Sequence, residues 1–428
     1  MSSNVMKSNA SAADTVTAVD APELRVFVMA LFFIFGGITS LNDVIIPKLK
    51  ELFSLDHMQA MLVQSAFFAA YFTISLPGAA LVRRLGYMRG AVAGLALMML
   101  GCLMFVPVSA FPRFALFLGA LFVLASGITI VQVVANPLIS LLGPPRTAHS
   151  RLTFAQAFNS LGTTVFPFFG AIVMLGRLAH ENAAQLSGPA LDAYRAAATQ
   201  AVGRSYLGLA AALAIIAGAV WLHRDRLKGE SHDGASVFSG FELLKRARFA
   251  FGAAAIFLYV GAEVAIGSLI VLYLEQSHVL GLGEQTAGEL IPIYWGGALV
   301  GRFVGSGVLR LASPGKALAF NALGAATLIL ISANATGAFA GYSLLAIGLM
   351  NSIMFPTIFS LASEGLGTRA AEGSGILCMA IVGGAVIPPL TGRIADLSES
   401  LSVALALPAL CYLIIAAFGI YARRPVAA

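Results

Sequence analysis

The stretch Arg113-Phe-Ala-Leu-Phe-Leu-Gly-Ala-Leu-Phe-Val-Leu-Ala-Ser-Gly-Ile-Thr-Ile-Val-Gln-Val-Val-Ala-Asn-Pro-Leu-Ile-Ser-Leu-Leu142 carries no charged side chain after Arg113. Crossing the hydrocarbon of a bilayer takes a helix of ~20 apolar residues, so this run is a membrane span. Eleven others flank it. The twelve spans are read as 24–46, 59–82, 88–108, 113–142, 152–177, 202–222, 248–274, 286–311, 316–333, 338–362, 374–397 and 400–422. Composition agrees: 59% of the 428 residues are hydrophobic, 11% are charged, and the mean hydropathy is +0.88. A water-soluble chain carries roughly 25% charged residues. The runs are too long for barrel strands and lack their alternation. In lipid, a long apolar run satisfies its own backbone only as a helix. Many of the 44 glycines fall inside the spans, where small residues let helices approach closely.

Lys and Arg set the orientation. With the N-terminus inside, eighteen of the 26 lie on the cytoplasmic side and six outside, with Arg302 and Arg393 within spans. That bias satisfies the positive-inside rule. The net charge of +6 therefore reads as topology and not as nucleic-acid binding. Residues 1–23 are a polar cytoplasmic tail with no basic region leading into a short apolar core, so the first span is retained and not cleaved. The expected organisation is a six-helix bundle over 24–222, a cytoplasmic linker over 223–247, a second bundle over 248–422 and a tail over 423–428, with both termini cytoplasmic. Residues 178–201 form a long external loop. Cys102, Cys378 and Cys411 all sit in apolar spans and read as packing residues.

The halves echo each other at offsets of 219 to 224. Phe33-Ile-Phe-Gly-Gly37 resembles Phe257-Leu-Tyr-Val-Gly261. Pro137-Leu-Ile-Ser-Leu resembles Pro356-Thr-Ile-Phe-Ser-Leu. Leu161-Gly-Thr-Thr-Val-Phe-Pro167 resembles Val382-Gly-Gly-Ala-Val-Ile-Pro388. Repeated six-helix halves are a transporter architecture with the substrate between them near the midplane. Gln132 and Asn351 each lie five residues before the matching proline and occupy equivalent positions.

The polar residues inside the spans carry the functional reading. A charge at mid-bilayer costs at least ~2.5 kcal/mol, so such residues face a cavity, a partner or a proton. Asp43, in Ile38-Thr-Ser-Leu-Asn-Asp-Val-Ile-Ile46, and Glu263, deep in span seven, are the candidate proton-coupling acids. For Asp43 the plainer reading is a solvated residue near the helix end, and for Glu263 a structural partner for Arg302. Gln132 and Asn136 share one face of span four, and Gln156 and Asn159 one face of span five. Asn42, Gln64 and Asn351 add further amides. An amide both donates and accepts, which suits a substrate covered in hydroxyls. The competing role is interhelical bonding, worth ~0.6 kcal/mol per contact, and Asn321 is expected to do that. Tyr294 and Trp295 lie inside span eight, where an indole offers a flat face to a sugar ring or simply packs.

All six histidines (57, 149, 180, 223, 232, 278) lie outside the spans or at their edges, against a histidine relay or metal site in the membrane. No zinc spacing, phosphate-binding glycine loop or nucleophile–base motif is present, so neither a cofactor nor an enzyme is expected.

Seven strings now carry a resemblance: Leu41-Asn-Asp-Val-Ile-Ile-Pro47, Gln64-Ser-Ala-Phe-Phe-Ala-Ala-Tyr71, Ala125-Ser-Gly-Ile-Thr-Ile-Val-Gln-Val-Val-Ala-Asn-Pro137, Arg151-Leu-Thr-Phe-Ala-Gln-Ala-Phe-Asn-Ser-Leu-Gly162, Tyr294-Trp-Gly-Gly-Ala-Leu-Val-Gly-Arg-Phe303, Asn351-Ser-Ile-Met-Phe-Pro-Thr-Ile-Phe359 and Gly373-Ser-Gly-Ile-Leu-Cys-Met379. Together they resemble the fucose/glucose/galactose symporter family of the major facilitator superfamily. The resemblance implies an all-α membrane protein of twelve transmembrane helices in two pseudo-symmetric bundles, with alternating access and uptake of a monosaccharide driven by an ion gradient. It implies a monomer in a bacterial inner membrane. Asp43 matches the acid that carries the proton in the family's fucose transporters. Their second acid, three residues before Ala-Asn-Pro, is here Gln132, which cannot titrate. That departure points to the glucose/galactose branch. It leaves sodium as an alternative to the favoured proton, and fucose or N-acetylglucosamine as alternative sugars. A drug-efflux antiporter would have a more apolar cavity with fewer paired amides, and a receptor or channel would lack the buried acids.

Overall fold

The computed structural model describes residues 22–52, 57–110, 113–170, 188–225 and 236–424; the side chains of 42–52 and 57–62, and a few beside the other gaps, lie outside this set. No strand occurs among the described residues. Twelve spans are helical, as the hydropathy predicts. They are α1 (Pro22–Leu52), α2 (His57–Leu85), α3 (Tyr87–Ala110), α4 (Phe114–Leu141), α5 (Ala148–Gly170), α6 (Pro189–Leu222), α7 (Ala247–Glu275), α8 (Ile291–Val308) and α9 (Pro314–Asn334), followed by three interrupted ones. Span α10 joins Gly337–Asn351 to Met354–Ala362 through Ser352 and Ile353. Span α11 joins Ala370–Met379 to Gly383–Ser398 through a 3-10 turn. Span α12 joins Leu401–Ala404 to Ala406–Tyr421. Among the described residues, ten of the twelve are by themselves long and apolar enough to cross a membrane.

Two boundaries differ from expectation. The stretch 178–201 is helical from Pro189 onward and not a loop. Proline suits a first helical position, and the alanines that follow are the best helix formers. The linker 223–247 is not wholly irregular: Ser239–Lys245 forms a 3-10 helix with Gly240 and Leu243 buried. The rest of the expected external loop, residues 178–187, the end of the fifth span, 171–177, and the linker residues 226–235 lie outside the described residues.

Helices α1–α6 pack mainly on one another, through α1 on α5, α3 on α4 and α6, and α2 on α4. Helices α7–α12 do likewise, through α7 on α11 and α12, α9 on α10 and α12, and α8 on α10. The two sets meet where α2 and α4 touch α11, and where α8 and α10 touch α5. Under the offset of about 220 that relates the halves, each of these contacts is the image of the other. The symmetry extends to single atoms. A Cβ on Gly162 would overlap the Phe33 carbonyl of α1, and a Cβ on Gly383 would overlap the Phe257 carbonyl of α7. Only glycine permits these two backbones to approach so closely.

Candidate functional site

The break in α10 organises the centre of the second set. Interrupting the helix at Ser352 and Ile353 frees carbonyls that a continuous helix would use. In lipid they must find other donors. Three consecutive carbonyls do so through side chains from three helices. Met350 O accepts from Asn321 Nδ2 of α9 at 2.9 Å, Asn351 O from the Tyr259 hydroxyl of α7 at 3.1 Å, and Ser352 O from Arg302 Nε of α8 at 3.2 Å. Asn321 is thus the interhelical tie expected of it.

Asn351 itself is fully buried. Its Oδ1 accepts from the Tyr412 hydroxyl at 2.7 Å, and its Nδ2 donates to the Tyr294 hydroxyl at 2.8 Å. The Tyr294 hydroxyl in turn donates to the Glu263 carbonyl at 3.2 Å. The Tyr259 hydroxyl lies 2.7 Å from Glu263 Oε1. Glu263 is therefore held on one carboxylate oxygen, and the other has no partner among the described residues. Three tyrosines, one acid and one amide form a closed polar cluster. Of these, Tyr259 and Tyr412 were not singled out from sequence. The available signal is tyrosine in an apolar span, because a buried hydroxyl needs a partner.

Arg302 makes no ion pair with Glu263 among the described residues. It reaches across to the first set instead. Its guanidinium donates to the Gln156 carbonyl at 3.4 Å and, more closely, to Ser160 Oγ of α5. Trp295 precedes Arg302 by two helical turns on the same face of α8. It is 44% exposed, meets Tyr294 edge-on at 5.0 Å, and lies over Gly267, one turn past Glu263.

In the first set, Gln132, Asn136 and Gln156 are buried, and each leaves one polar atom without a hydrogen bond: Gln132 Oε1, Asn136 Oδ1 and Gln156 Nε2. Thr357 Oγ1 of α10 shares that condition. Asn136 Nδ2 approaches Cys378 Sγ of α11 at 4.0 Å. The three cysteines are buried and free, as expected. Asn159 is used otherwise, donating to the Phe32 carbonyl of α1 at 3.3 Å. Gln64 is exposed on α2, one turn before Phe68, whose ring lies on Gly384 of α11. Asn42 and Asp43 lie on α1 beyond Gly36 and Gly37, but their side chains are outside the described residues.

Ionic and polar links gather at one end, where the Arg83–Glu372 pair ties the two sets. There Glu372 of α11 accepts from Arg83 of α2, from Arg369 at 2.7 Å and from Ser239 Oγ at 3.1 Å, while Arg369 also faces Glu242 at 3.6 Å. Alongside, Ser150 Oγ of α5 donates to the Ser306 carbonyl of α8 at 2.6 Å, and Ser374 Oγ to the Val133 carbonyl of α4 at 2.9 Å. With Arg302, these links run from that end to the helix middles. The sequence reading did not anticipate the links between the sets, because each of those joins residues more than a hundred positions apart.

The arrangement is two helical sets clamped at a basic end, with unpaired amides and a singly tethered acid between them. Known proteins share the fold. The sequence model described as Major Facilitator Superfamily matches residues 28–389. A glucose/galactose transporter of Brucella abortus is 47% identical over 394 residues, covering 92% of each chain. An L-fucose-proton symporter of Escherichia coli is 33% identical over 402 residues, covering 91% of each. The crystal structure of the transporter FucP in the outward conformation superposes with a TM-score of 0.85 at 31% identity, covering 94% of this chain and 99% of that one. These relatives are transporters and not enzymes. By these matches and by its twelve apolar helices, the chain belongs to the major facilitator superfamily of multi-pass membrane transporters.

Proposed function

We propose that this protein imports a hexose of the glucose/galactose type by proton symport across a bacterial inner membrane. The observation that carries the reading is the set of buried amides, Gln132, Asn136 and Gln156, each with an unpaired polar atom beside the seam between the sets. Buried polar groups are rarely left unpaired without a function. A sugar hydroxyl, donor and acceptor at once, satisfies either end of an amide. The substrate names of the 47% and 33% identical relatives support a monosaccharide. Glucose or galactose is favoured over fucose because Gln132 replaces the acid of the fucose branch.

In this reading Asn42, Gln64, Gln132, Asn136, Gln156 and Asn159 line the sugar path from the first bundle (24–222), and Tyr294, Trp295 and Asn351 from the second (248–422), with 223–247 as the cytoplasmic linker. Trp295 offers its exposed face to the ring, and Asn351 acts through Tyr294. Asp43 and Glu263 carry the coupling, with the proton favoured over sodium by the match of Asp43 and by the name of the fucose relative. The basic end is cytoplasmic, as are both termini. The protein works as a monomer by alternating access: the clamps at the basic end break as the opposite end closes. Uptake of labelled glucose, galactose, mannose, fucose and N-acetylglucosamine into proteoliposomes, under imposed proton or sodium gradients, tests the reading. Accumulation of glucose or galactose driven by a proton gradient in sodium-free buffer is expected. Sodium-dependent uptake indifferent to pH overturns the coupling ion, and no uptake of any sugar overturns the substrate class.

A further inference from the structure

We propose that the linker's 3-10 helix, Ser239–Lys245, is a membrane-docking element, with one edge seated in the headgroup layer of the cytoplasmic leaflet. A 3-10 helix has three residues per turn, so side chains at i and i+3 stand in line. The string Phe238-Ser-Gly-Phe-Glu-Leu-Leu-Lys-Arg246 therefore sorts into three edges. Gly240 and Leu243 form the buried edge. Ser239, Glu242 and Lys245 form a polar edge. Phe238, Phe241 and Leu244 form an apolar edge that is 67%, 41% and 38% exposed, and its two phenyl rings stack at 6.3 Å. Large apolar side chains lined up in the open mark a contact surface.

The buried edge fixes the depth of the apolar one. A Cβ on Gly240 would meet Ile376 Cγ1 at 3.2 Å and the Glu372 carbonyl at 3.4 Å, and a Cβ on Gly373 would meet Leu243 Cδ1 at 3.7 Å. The 3-10 helix thus lies alongside the first turns of α11. The apolar stretch that holds α11, Gly367–Ser398, has 32 residues. At ~1.5 Å per residue it is about as long as a whole bilayer with its headgroups, ~40–45 Å. Ile376 stands roughly 13 Å from the start of that stretch, which is deeper than one headgroup layer of about 5–8 Å. On its other side the 3-10 helix runs directly into α7, which begins at Ala247. Pinned between the starts of two spans, the apolar edge is level with the headgroups and the upper acyl chains.

Charge favours the same occupant. Lys245 and Arg246 follow the apolar edge and are exposed, as are Lys316, Arg423 and Arg424. Arg248 Nη1 donates to the Arg424 carbonyl at 2.8 Å, and Ser313 Oγ to the Arg423 carbonyl at 3.4 Å, which brings the last arginines beside the starts of α7 and α9. None of these five cations makes an ion pair among the described residues. The acids nearby are taken: Glu364 by Arg248, Glu372 by Arg83 and Arg369, and Glu242 by Arg369. Phenylalanine and leucine with a basic rim suit the interface of an anionic leaflet. A second copy of this chain would bring the same cations face to face.

The docked edge braces a clamp. On the polar edge, Ser239 Oγ lies 3.1 Å from Glu372 Oε1, and the Ser239 carbonyl accepts from Arg369 Nη2 at 2.9 Å. Glu372 is the acid that holds Arg83 of the first set. The membrane surface therefore steadies the link between the sets from outside the substrate path. The inference rests on the proposed orientation only in naming the leaflet.

The test uses the full-length protein in nanodiscs of phosphatidylglycerol and phosphatidylcholine, without sugar or gradient. Its failure leaves the transport reading standing, and failed uptake leaves the docking intact. Nitroxide labels are placed singly through Phe238→Cys, Phe241→Cys, Glu242→Cys, Leu244→Cys and Lys245→Cys, in a background of Cys102→Ala, Cys378→Ala and Cys411→Ala. Collision with oxygen, which partitions into lipid, is compared with collision with a water-soluble nickel chelate. The oxygen-to-nickel ratio on the apolar edge should exceed that at Glu242→Cys and Lys245→Cys several-fold. It should approach the ratio for Ile215→Cys on α6, where the native side chain is 75% exposed within a span. Nickel-favoured collision at all five positions overturns the proposal, since the edge then faces the cytosol. Protection of the apolar edge from both reagents also overturns it, since protein then covers the edge. The unsubstituted protein guards against a disturbed background. In nanodiscs whose phospholipid carries a diazirine near the top of the acyl chain, adducts should map to the Phe238–Leu244 peptide and to the peptide holding Ile215. Adducts on the second without the first overturn the proposal.

Discussion

The hydroxyl of Tyr259 lies one helical turn from Glu263 on α7 and is the only donor to that carboxylate among the described residues, at 2.7 Å. The same hydroxyl lies 3.1 Å from the Asn351 carbonyl freed by the break in α10. One proton therefore serves both the acid and the broken helix, so the position of Glu263 and the geometry of the break are linked.

Tyr259→Phe removes that link without changing the ring. Losing a hydrogen bond to an ionised group costs about 1.5–3 kcal/mol, roughly ten- to a hundred-fold in an equilibrium constant. Sugar affinity should fall within that range and gradient-driven accumulation should drop with it. Binding and accumulation at wild-type levels would show that Glu263 needs no orienting donor.

Asp43→Asn should separate binding from coupling. An amide of the same shape can still bond a hydroxyl but cannot carry a proton at neutral pH. Counterflow exchange should persist in part while concentrative uptake disappears. Concentrative uptake at the wild-type rate would remove Asp43 from the coupling path.

The amides divide by what they already bind. Gln132 and Gln156 have unpaired atoms, so Gln132→Ala and Gln156→Ala should each weaken sugar binding by about three- to ten-fold, the worth of one neutral hydrogen bond of ~0.5–1.5 kcal/mol. Asn159 and Asn321 already tie backbone carbonyls. Their alanine variants should lower the melting temperature and leave affinity nearly unchanged. Calorimetric titration and a melting curve on the four variants decide the division; a reversed pattern would exchange the roles.

Gly162→Ala and Gly383→Ala should behave as a matched pair. Each pushes a methyl into a carbonyl of the neighbouring helix, and overpacking of this kind costs roughly 1–3 kcal/mol. Both should melt lower and show reduced insertion yield. Gly119 on α4 has open space where its Cβ would go, so Gly119→Ala serves as the silent control. Equal melting of all three would contradict the close approach.

The spans were legible in the sequence because lipid imposes one rule on all of them: twenty apolar residues, whatever they pack against. The pairing of Phe33 with Phe257, and of the Leu161 and Val382 strings, was legible as a repeat, and the carbonyl–glycine contacts are its physical content. The break in α10 was legible only in part: Pro356 cannot donate to the Ser352 carbonyl, but the donors that stabilise the break come from three other helices. The start of α6 was hidden by the polar residues among its alanines. His149 was passed over at the edge of its span, because nothing local reveals that Ser360 and Glu364, more than two hundred residues on, close around it. Asp43 and Asn42 rest on their strings alone, as their side chains lie outside the described residues.

The polar contact between α5 and α8 bears on how the protein is made. Emerging from the ribosome, α5 finds α1 already in the membrane and can spend Asn159 and Gly162 on it at once. Its other polar face, with Gln156 and Ser160, waits for Arg302, which is synthesised 146 residues later. Until then that face has only lipid, nascent neighbours or an insertion chaperone to meet, and Arg302 has the same difficulty in reverse. The first six helices are therefore not a finished unit when they leave the translocon. A chain stopped after α7 should be held by insertion factors or degraded, and the two halves, expressed as separate polypeptides, should accumulate only when made together.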